Sequence, residues 1–528
     1  MASLWSTVLL WGAAYAIWRS YKIFTALKTF KQVPKLYCVV DPLSILGGFV
    51  VPRGWWNPGS YITWGKTDAL YARRNSETIA LIPIFVGDAM LLSSSPEASK
   101  DILNEPAVWL KPKRIMTLDL MGENVVTCNP PTWRKHRKIA APAFDNQTFA
   151  NVWEVVIRAY YQMIATSDWK SEGQVFFTSF NGVTTRLALL VIAACGFNIQ
   201  IDWEKDKAAT TNLIDETVVT VSSHLLERAF VPRWLFAVLP ALKPIGKAYE
   251  RFEKFLHDEI VAKKIELARD IKLDGAVSNT NKNVFGRFVA ASEREAGQSL
   301  DTSQIAGNLF IFLFAGHETT AHSLVVTLAF LASYPEEQER ILNHIHSVIG
   351  DSEPVYEHYS ALVPVLHCFY EAIRLYPPGW LTMREPATDE ALQAPHLTAT
   401  GEDLVVPKGT VIVLDTIGAC RNPRHFPNPD AFVPTRWAVS EDPAAPLPPS
   451  MDTFLAFSSG PRTCLGKKFA SVEAVCFLTL LLRDWKVELK LEEGETVDDW
   501  HKRILYPKLE MTLITGDVPL LFTRRVKE

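Results

Sequence analysis

The sequence predicts a mainly helical protein with minor β sheets. Three observations lead there. A long apolar run has a helical start and stop, a charged segment shows helical periodicity, and strand-like stretches are short and few. The apolar run begins where Thr302 or Ser303 can cap a helix and ends at Tyr334, before Pro335. A helix of that extent is about 48 Å long at ~1.5 Å per residue. It is apolar on most faces (Ile305, Leu309, Phe310, Phe312, Leu313, Phe314) and is therefore expected in the core. Glu250 to Arg269 has helical periodicity with mixed charges. The strand candidates are Ile79 to Phe85, Ala89 to Leu92, Leu404 to Val406 and Val411 to Leu414.

The bulk numbers fit a large globular body. The chain has 528 residues, 48 % hydrophobic and 21 % charged, enough for a sizeable core. Length alone would suggest several domains, but no repeat, low-complexity tract or long Gly/Ser linker divides the chain. A net charge of -4 gives no reason to expect nucleic-acid binding. Seven scattered cysteines make no disulfide framework and suit a reducing compartment, with room for one functional thiolate.

The N-terminus differs from the rest. Leu4 to Trp18 carries no charge, Trp5 and Trp18 sit at its ends, and Arg19, Lys22, Lys28 and Lys31 follow. A span needs about 20 residues, so the stretch is short, though residues 1–18 could cross a thin bilayer. A cleaved signal peptide would carry its charge before the apolar run, not after it. Residues 1–18 are thus read as a membrane anchor with the body on the cytosolic side. Residues 19–58 form a basic, Pro/Gly-rich lead-in, and 59–528 form the body. Asp274 to Lys282 and Pro443 to Pro449 read as loops.

Phe457 to Gly466 reads FSSGPRTCLG. Gly460 and Gly466 let backbone approach a flat ligand, and Pro461 stiffens the loop. Arg462 puts a cation near Cys464, and the segment after it looks helical. A cysteine at a helix N-terminus beside a cation favours the thiolate. A lone cysteine would more simply be a buried structural one. This segment, however, resembles the signature of the cytochrome P-450 family, Phe-x-x-Gly-x-Arg-x-Cys-x-Gly, with Phe457, Gly460, Arg462, Cys464 and Gly466 at every fixed position. The resemblance implies the cytochrome P-450 fold and haem b (iron protoporphyrin IX) as cofactor. It makes Cys464 the iron ligand, places Arg462 on a propionate, and sets Phe457 near the sulfur.

Ala315 to Thr320 reads AGHETT. Gly316 costs about 1 kcal/mol relative to Ala inside a helix. Hydroxyls that compete for backbone carbonyls can open the ladder locally. On the residues alone, Glu318 and Thr319 could simply satisfy each other or a neighbouring helix. The segment also resembles the family's acid–alcohol motif. By that resemblance Thr319 orders the proton-delivering water at the oxygen site and Glu318 relays protons from solvent. His317 is given no role.

Further matches follow in the family's order. Glu371 and Arg374 share a helix face, and Pro377 and Pro378 end that helix. They resemble the Glu-x-x-Arg motif, whose third member would be Arg436 in Pro434-Thr435-Arg436-Trp437. Thr435 stands where the family usually has Glu. These three are expected to be structural. Trp133 and Arg137 lie four apart on a helix that Thr132 can cap, and the resemblance directs them to a propionate. Arg384, seven residues past Pro377, stands where the family places another propionate-binding arginine. A run of basic residues is otherwise an ordinary solvated face.

The resemblance extends from about Pro34 to the end and implies a haem-thiolate monooxygenase at the endoplasmic reticulum membrane. O2 is one substrate, and electrons come from an NADPH-cytochrome reductase, since no flavin-binding segment appears. Lys467 and Lys468 are candidates to meet that partner. Ile115 to Val126, the helix face before Gly316, and Gly379 to Met383 are candidate pocket linings, so the second substrate is a hydrophobic small molecule. Phe230 to Pro240 is an apolar segment suited to membrane lipid. The overall look resembles fungal members that tailor terpenoids and other secondary metabolites. Fatty acids, sterols and foreign compounds are the alternatives. Two rivals are a peroxide-rearranging isomerase or lyase of the same fold and a non-catalytic haem-binding protein, and the retained Glu318 and Thr319 argue against both.

Overall fold

Buried apolar strands need a paired ladder and long apolar helices need a packed surround. The computed structural model provides both. It describes the chain except residues 1, 45, 51, 53, 55, 65–66, 114–117, 170–172, 198, 200–201, 204–210, 275–283, 295–298, 389, 391, 395, 399–401, 440–447, 510–511 and 526–528. The expected loop at Asp274 to Lys282, most of that at Pro443 to Pro449, and Ile115 to Thr117 of the candidate lining fall outside the described residues.

The elements that carry the argument, in chain order, begin with α1 (Ala2–Thr29), β1 (Lys35–Val40), β2 (Thr78–Val86), β3 (Met90–Ser93), α2 (Pro96–Asn104) and β4 (Trp109–Leu110). Then come α3 (Thr132–Ala140), α4 (Asn146–Ile164), β5 (Gln174–Phe177), α5 (Asn181–Phe197) and α6 (Thr302–Ser333). Last are α7 (Val363–Leu375), β6 (Leu381–Pro386), β7 (Val411–Asp415), α8 (Lys467–Asp484), β8 (Trp485–Leu489) and β9 (Leu520–Arg524). The chain folds as two compact units, each made of separate segments. The first holds Met1–Pro112, Arg374–Ala431 and Leu447–Cys464; the second holds Lys113–Ile373, Phe432–Pro446 and Leu465–Glu528.

The first unit is built on a six-stranded sheet of order β1-β2-β3-β7-β6-β4. β3 and β7 run parallel, with Met90 opposite Val411, and β7 and β6 run antiparallel, with Met383 opposite Val413. β7 is buried along its whole length, as expected of a central strand covered on both faces. β1 lies inside the stretch read as an irregular lead-in. Its apolar residues Cys38 and Val40 are buried against β2, and that pairing outweighs the Pro and Gly content around it.

The N-terminal helix does not stop at Trp18. α1 continues to Thr29, because Arg19 is buried and its charge is satisfied locally. Its guanidinium donates to the carbonyls of Pro83, Ile84 (3.1 Å) and Gly87 (2.8 Å) at the β2–β3 turn. Lys22 pairs with Asp88 at 2.9 Å. The face beyond is apolar and exposed, including Leu9, Leu10, Trp11 and Ile17. Among the described residues, the one helix long and apolar enough to cross a membrane is α6, and its apolar stretch is 67 % buried.

The second unit is mainly helical. α5 packs on α6, and α4 packs on both α5 and α8. α6 has 32 residues, as its apolar run predicts. Its cap is Asp301, not Thr302 or Ser303; Asp301 and Gln304 form a reciprocal capping box. α3 likewise starts at Thr132 with Pro131 before it and no side-chain cap. The antiparallel sheet β8-β9-β5 completes the unit and was not expected. Glu250 to Arg269 lies within the helix Lys243–Asp274.

The Arg19 contacts predict that α1 is held, not tethered. Arg19→Ala should remove the donor from one buried carbonyl, that of Pro83, and from the part-buried carbonyls of Ile84 and Gly87, which water can reach once the helix lifts. In detergent, chymotrypsin should then cut at exposed Tyr21 and Phe24 several-fold faster, while the body's melting temperature stays unchanged. Equal cleavage rates would show that the clamp does not hold the helix.

Candidate active site

In the first unit the cysteine segment forms a tight loop between two 3-10 turns, Leu455–Phe457 and Gly460–Arg462. The Cys464 amide donates to the Phe457 carbonyl at 2.9 Å, and the Thr463 amide to Gly460 at 3.0 Å. Gly460 has φ +67°, and a Cβ there would stand 2.8 Å from the Leu103 carbonyl of α2. Both conditions demand glycine. All seven cysteines are among the described residues, and only Cys464 is exposed. Burial pushes the Cys368 and Cys420 thiols up, Cys420 to about 11; such thiols are inert.

Arg384, on β6, is 1 % exposed. Its Nη1 donates to the Met383 carbonyl at 2.8 Å, but its Nε is buried with no hydrogen-bond partner among the described residues. Burial and then the charge of Arg462 pull its guanidinium down to about 9. Two cations that repel one another, one of them incompletely satisfied, fit a dianionic ligand with carboxylates to place there. This chemistry agrees with the haem that the resemblance implies, with its two propionates and an iron for the exposed thiol.

In the second unit Trp133 is buried on α3, and Arg137 lies one turn further along the same helix. Gly466 is the N-cap of α8, two positions after Cys464, so the helix expected after the cysteine is present. Thr319 and Glu318 lie on α6, which runs through AGHETT as unbroken α-helix. The expected local opening is absent. The Thr319 hydroxyl donates to the Ala315 carbonyl at 2.7 Å, sharing that acceptor without displacing the ladder. Ala315 is exposed and Gly316, Glu318 and Thr319 are half-buried, on a helix whose other faces are mostly buried. His317 is buried and bonded to the Leu313 carbonyl at 3.0 Å. Burial keeps its imidazole neutral.

Glu371 and Arg436 are brought together at 2.9 Å, both nearly inaccessible. The same carboxylate accepts from the Val433 amide and from Trp437 Nε1, each at 2.9 Å. Trp437 is the partner that motif reasoning missed. Its neighbour Thr435 leaves the contact intact. Arg374 donates to the carbonyls of Cys420 (2.9 Å), Pro429 (2.6 Å) and Ala431 (3.0 Å) in the first unit. Lys467 and Lys468, expected as partner-facing cations, sit over rings: Lys468 Nζ is 3.5 Å from the Tyr359 centroid and Lys467 is 5.8 Å from that of Tyr370. Trp234 and Val238 within Phe230 to Pro240 are exposed, whereas Phe236 is buried.

Comparisons agree with this geometry. A cytochrome P-450 family profile matches residues 83–514. The chain is similar to cytochrome P-450 monooxygenase 124 of Postia placenta, 30 % identical over 514 residues and 95 % of each chain. It is also similar to cyclooctat-9-en-7-ol 5-monooxygenase of Streptomyces melanosporofaciens, 26 % identical over 81 % of this chain and 88 % of the other. A crystal structure of a cytochrome P-450 shares the fold with a TM-score of 0.69, at 20 % identity, covering 88 % of this chain and 98 % of its own.

The unpaired cation at Arg384 yields a discriminating prediction. Arg384→Leu removes a buried charge that the described residues satisfy only in part, so the haem-free variant should melt no lower than the haem-free wild type. The haem-loaded variant should release its cofactor to an apomyoglobin trap several-fold faster. A lower melting temperature with unchanged release would make Arg384 a purely structural residue.

Proposed function

Since the chain belongs to the cytochrome P-450 family and is an oxidoreductase of the monooxygenase kind, we propose that Cys464 holds haem b and that the enzyme oxidises a hydrophobic small molecule of terpenoid type. The carrying observation is the cysteine loop: a single exposed thiol on a backbone fixed by Phe457 and Gly460, with a buried, incompletely satisfied arginine in the same unit. Bound there, a thiolate-ligated haem supplies the iron chemistry for inserting one atom of O2 into a C–H bond.

The chain's own residues do the rest. Arg384 and Arg462 would hold the propionates, and the family resemblance gives Trp133 and Arg137 on α3 the same role. Phe457 shields the sulfur from water, which tunes the potential. Thr319 Oγ1, on the half-buried face of α6, positions a proton-donating water, and Glu318 carries protons to it. Glu371, Arg374 and Arg436 keep the surrounding backbone in place. Electrons arrive from an NADPH-dependent reductase. The apolar linings at residues 118–126 and 379–383 favour a hydrophobic substrate. Similarity to a monooxygenase named for cyclooctat-9-en-7-ol, a hydrocarbon skeleton with one hydroxyl, supports the terpenoid class. α1, with its exposed apolar face and basic end, is proposed as the membrane-binding element on the endoplasmic reticulum, helped by exposed Trp234 and Val238.

Two measurements test this reading. Cys464→Ser replaces a soft thiolate with a poorly ionised hydroxyl, so the reduced carbon-monoxide complex should lose its thiolate-type Soret band. Persistence of that band would assign the ligand elsewhere. Thr319→Ala should leave substrate binding and reduction nearly intact, because neither needs the hydroxyl. Product per NADPH oxidised should fall by up to about a hundredfold, the lower end of a general acid–base contribution, with a matching rise in hydrogen peroxide. Unchanged coupling would reduce Thr319 to a packing residue.

A further inference from the structure

Asn308 lies on α6 two turns before AGHETT and is completely buried in an apolar stretch. Its orientation is unambiguous. Oδ1 accepts from the Val125 amide at 3.0 Å, and Nδ2 donates to the Gln304 carbonyl at 2.6 Å. Nδ2 also approaches His136 Nδ1 at 2.8 Å. An amide nitrogen can only donate, so Nδ1 accepts and the imidazole proton is on Nε2. His136 is itself completely buried, and its Nε2 has no partner among the described residues. One side chain therefore joins three elements: α6, the loop at 118–127, and α3, the helix that carries Trp133 and Arg137.

The loop meets α6 at a second place with no room to spare. A Cβ on Gly307 would stand 2.3 Å from the Gly122 carbonyl, and one on Gly122, at φ +135°, would stand 2.2 Å from the Ser303 carbonyl. Backbone thus lies directly on backbone. Gln304 adds a bond to Glu123 at 3.2 Å. The loop is ordered from within as well: Asn124 Oδ1 accepts from the amides of Val126 (3.0 Å) and Thr127 (3.2 Å), and Thr127 Oγ1 donates to Asp119. Its own bonds fix its shape, so the contacts to α6 are what fix its position.

We infer that Asn308 is a positioning residue that latches the 118–127 loop onto α6, and that this latch sets which substrates enter by size. The size claim rests on the proposed reading that residues 118–126 line the substrate pocket; the latch itself rests on the bonds and the glycine contact alone. Asn308→Leu keeps the volume and removes both the acceptor for Val125 and the donor to His136. His136→Leu keeps the Val125 bond and removes the group that orients the amide. Asn308→Asp keeps the acceptor for Val125, and His136 can change tautomer to donate to the carboxylate, but the donor to the Gln304 carbonyl is lost.

The test uses the full-length, haem-loaded enzyme. Hydrogen exchange is followed in the peptide covering Val125 to Thr127. Stopped-flow Soret shifts give the association rates of two azole probes, imidazole and the bulky clotrimazole. Asn308→Leu should accelerate exchange in that peptide about tenfold, the scale of one net buried hydrogen bond. The clotrimazole association rate should rise several-fold relative to that of imidazole. Asn308→Asp, which retains the Val125 bond and loses the one to Gln304, should exchange more slowly than Asn308→Leu in that peptide. If Asn308→Leu does not retain haem, His136→Leu, which keeps the Val125 bond but removes one of the groups that orient the amide, should move both readouts in the same direction by a smaller amount. A reduced carbon-monoxide band in each variant verifies the cofactor independently of the latch. Unchanged exchange in the Val125 to Thr127 peptide would overturn the latch. Faster exchange with an unchanged ratio of azole rates would overturn the size gate, since mere loosening of structure does not sort probes by bulk.

Discussion

The first unit is organised by how it disposes of buried positive charge. Among the described residues three of its arginines are buried, and they are treated in two ways. Arg19 spreads its guanidinium over three carbonyls at the β2–β3 turn, and Arg374 does the same with Cys420, Pro429 and Ala431. Both cations are neutralised by oriented dipoles and hold backbone segments in register. Arg384 has only the carbonyl of its neighbour Met383, an Nε without a partner, and the repulsion of Arg462. A folded protein tolerates such an arrangement where a ligand completes it. The contrast separates the two architectural arginines from the one proposed to bind a ligand.

In the second unit the corresponding problem is polar groups on an apolar helix. Thr319, Ser323, Thr327 and Ser333 each donate to the carbonyl four residues before, at 2.7 Å. The Thr319 bond is therefore not distinctive. Its surroundings are, because Thr327 is wholly buried whereas Thr319 shares the open face with Ala315. A hydroxyl that needs no other partner for its own proton can still accept from water, and that is the state a water-positioning residue requires.

Legibility followed the nature of the signal. The cysteine loop, AGHETT and Glu-x-x-Arg were readable because a few atoms at fixed spacing do the work. The strands at 78–86, 90–93, 404–406 and 411–415 were readable because β-branched and apolar residues cluster there. Caps were not: Asp301 wins over Thr302 and Ser303 because it also finds Gln304 three positions on. The extension of α1 past Trp18 was not legible, because carbonyls remote in sequence absorb the charge of Arg19. β1 was hidden in a Pro/Gly-rich stretch, since its stability comes from β2. Trp437 and Asn308 escaped because their partners lie 66 and 183 residues away. A polar residue inside an apolar helix was nonetheless a visible signal at Asn308, as it was at Glu318.

Buried polar side chains here fall into two groups with different consequences. Gln338 satisfies itself with the Leu331 and Val487 carbonyls and the Val487 amide, and Glu371 with Arg436, Val433 and Trp437. Groups closed in this way cost little once formed and specify a single packing. Arg384 Nε and His136 Nε2 are left open. The first lies on a strand proposed to face a propionate, and the second on the helix proposed for the other pairing residues. On the proposed reading, haem held at Arg384 would offset that cost, because a ligand that binds the folded chain alone stabilises it by mass action. The haem-free chain should then be looser at β6 than the loaded one.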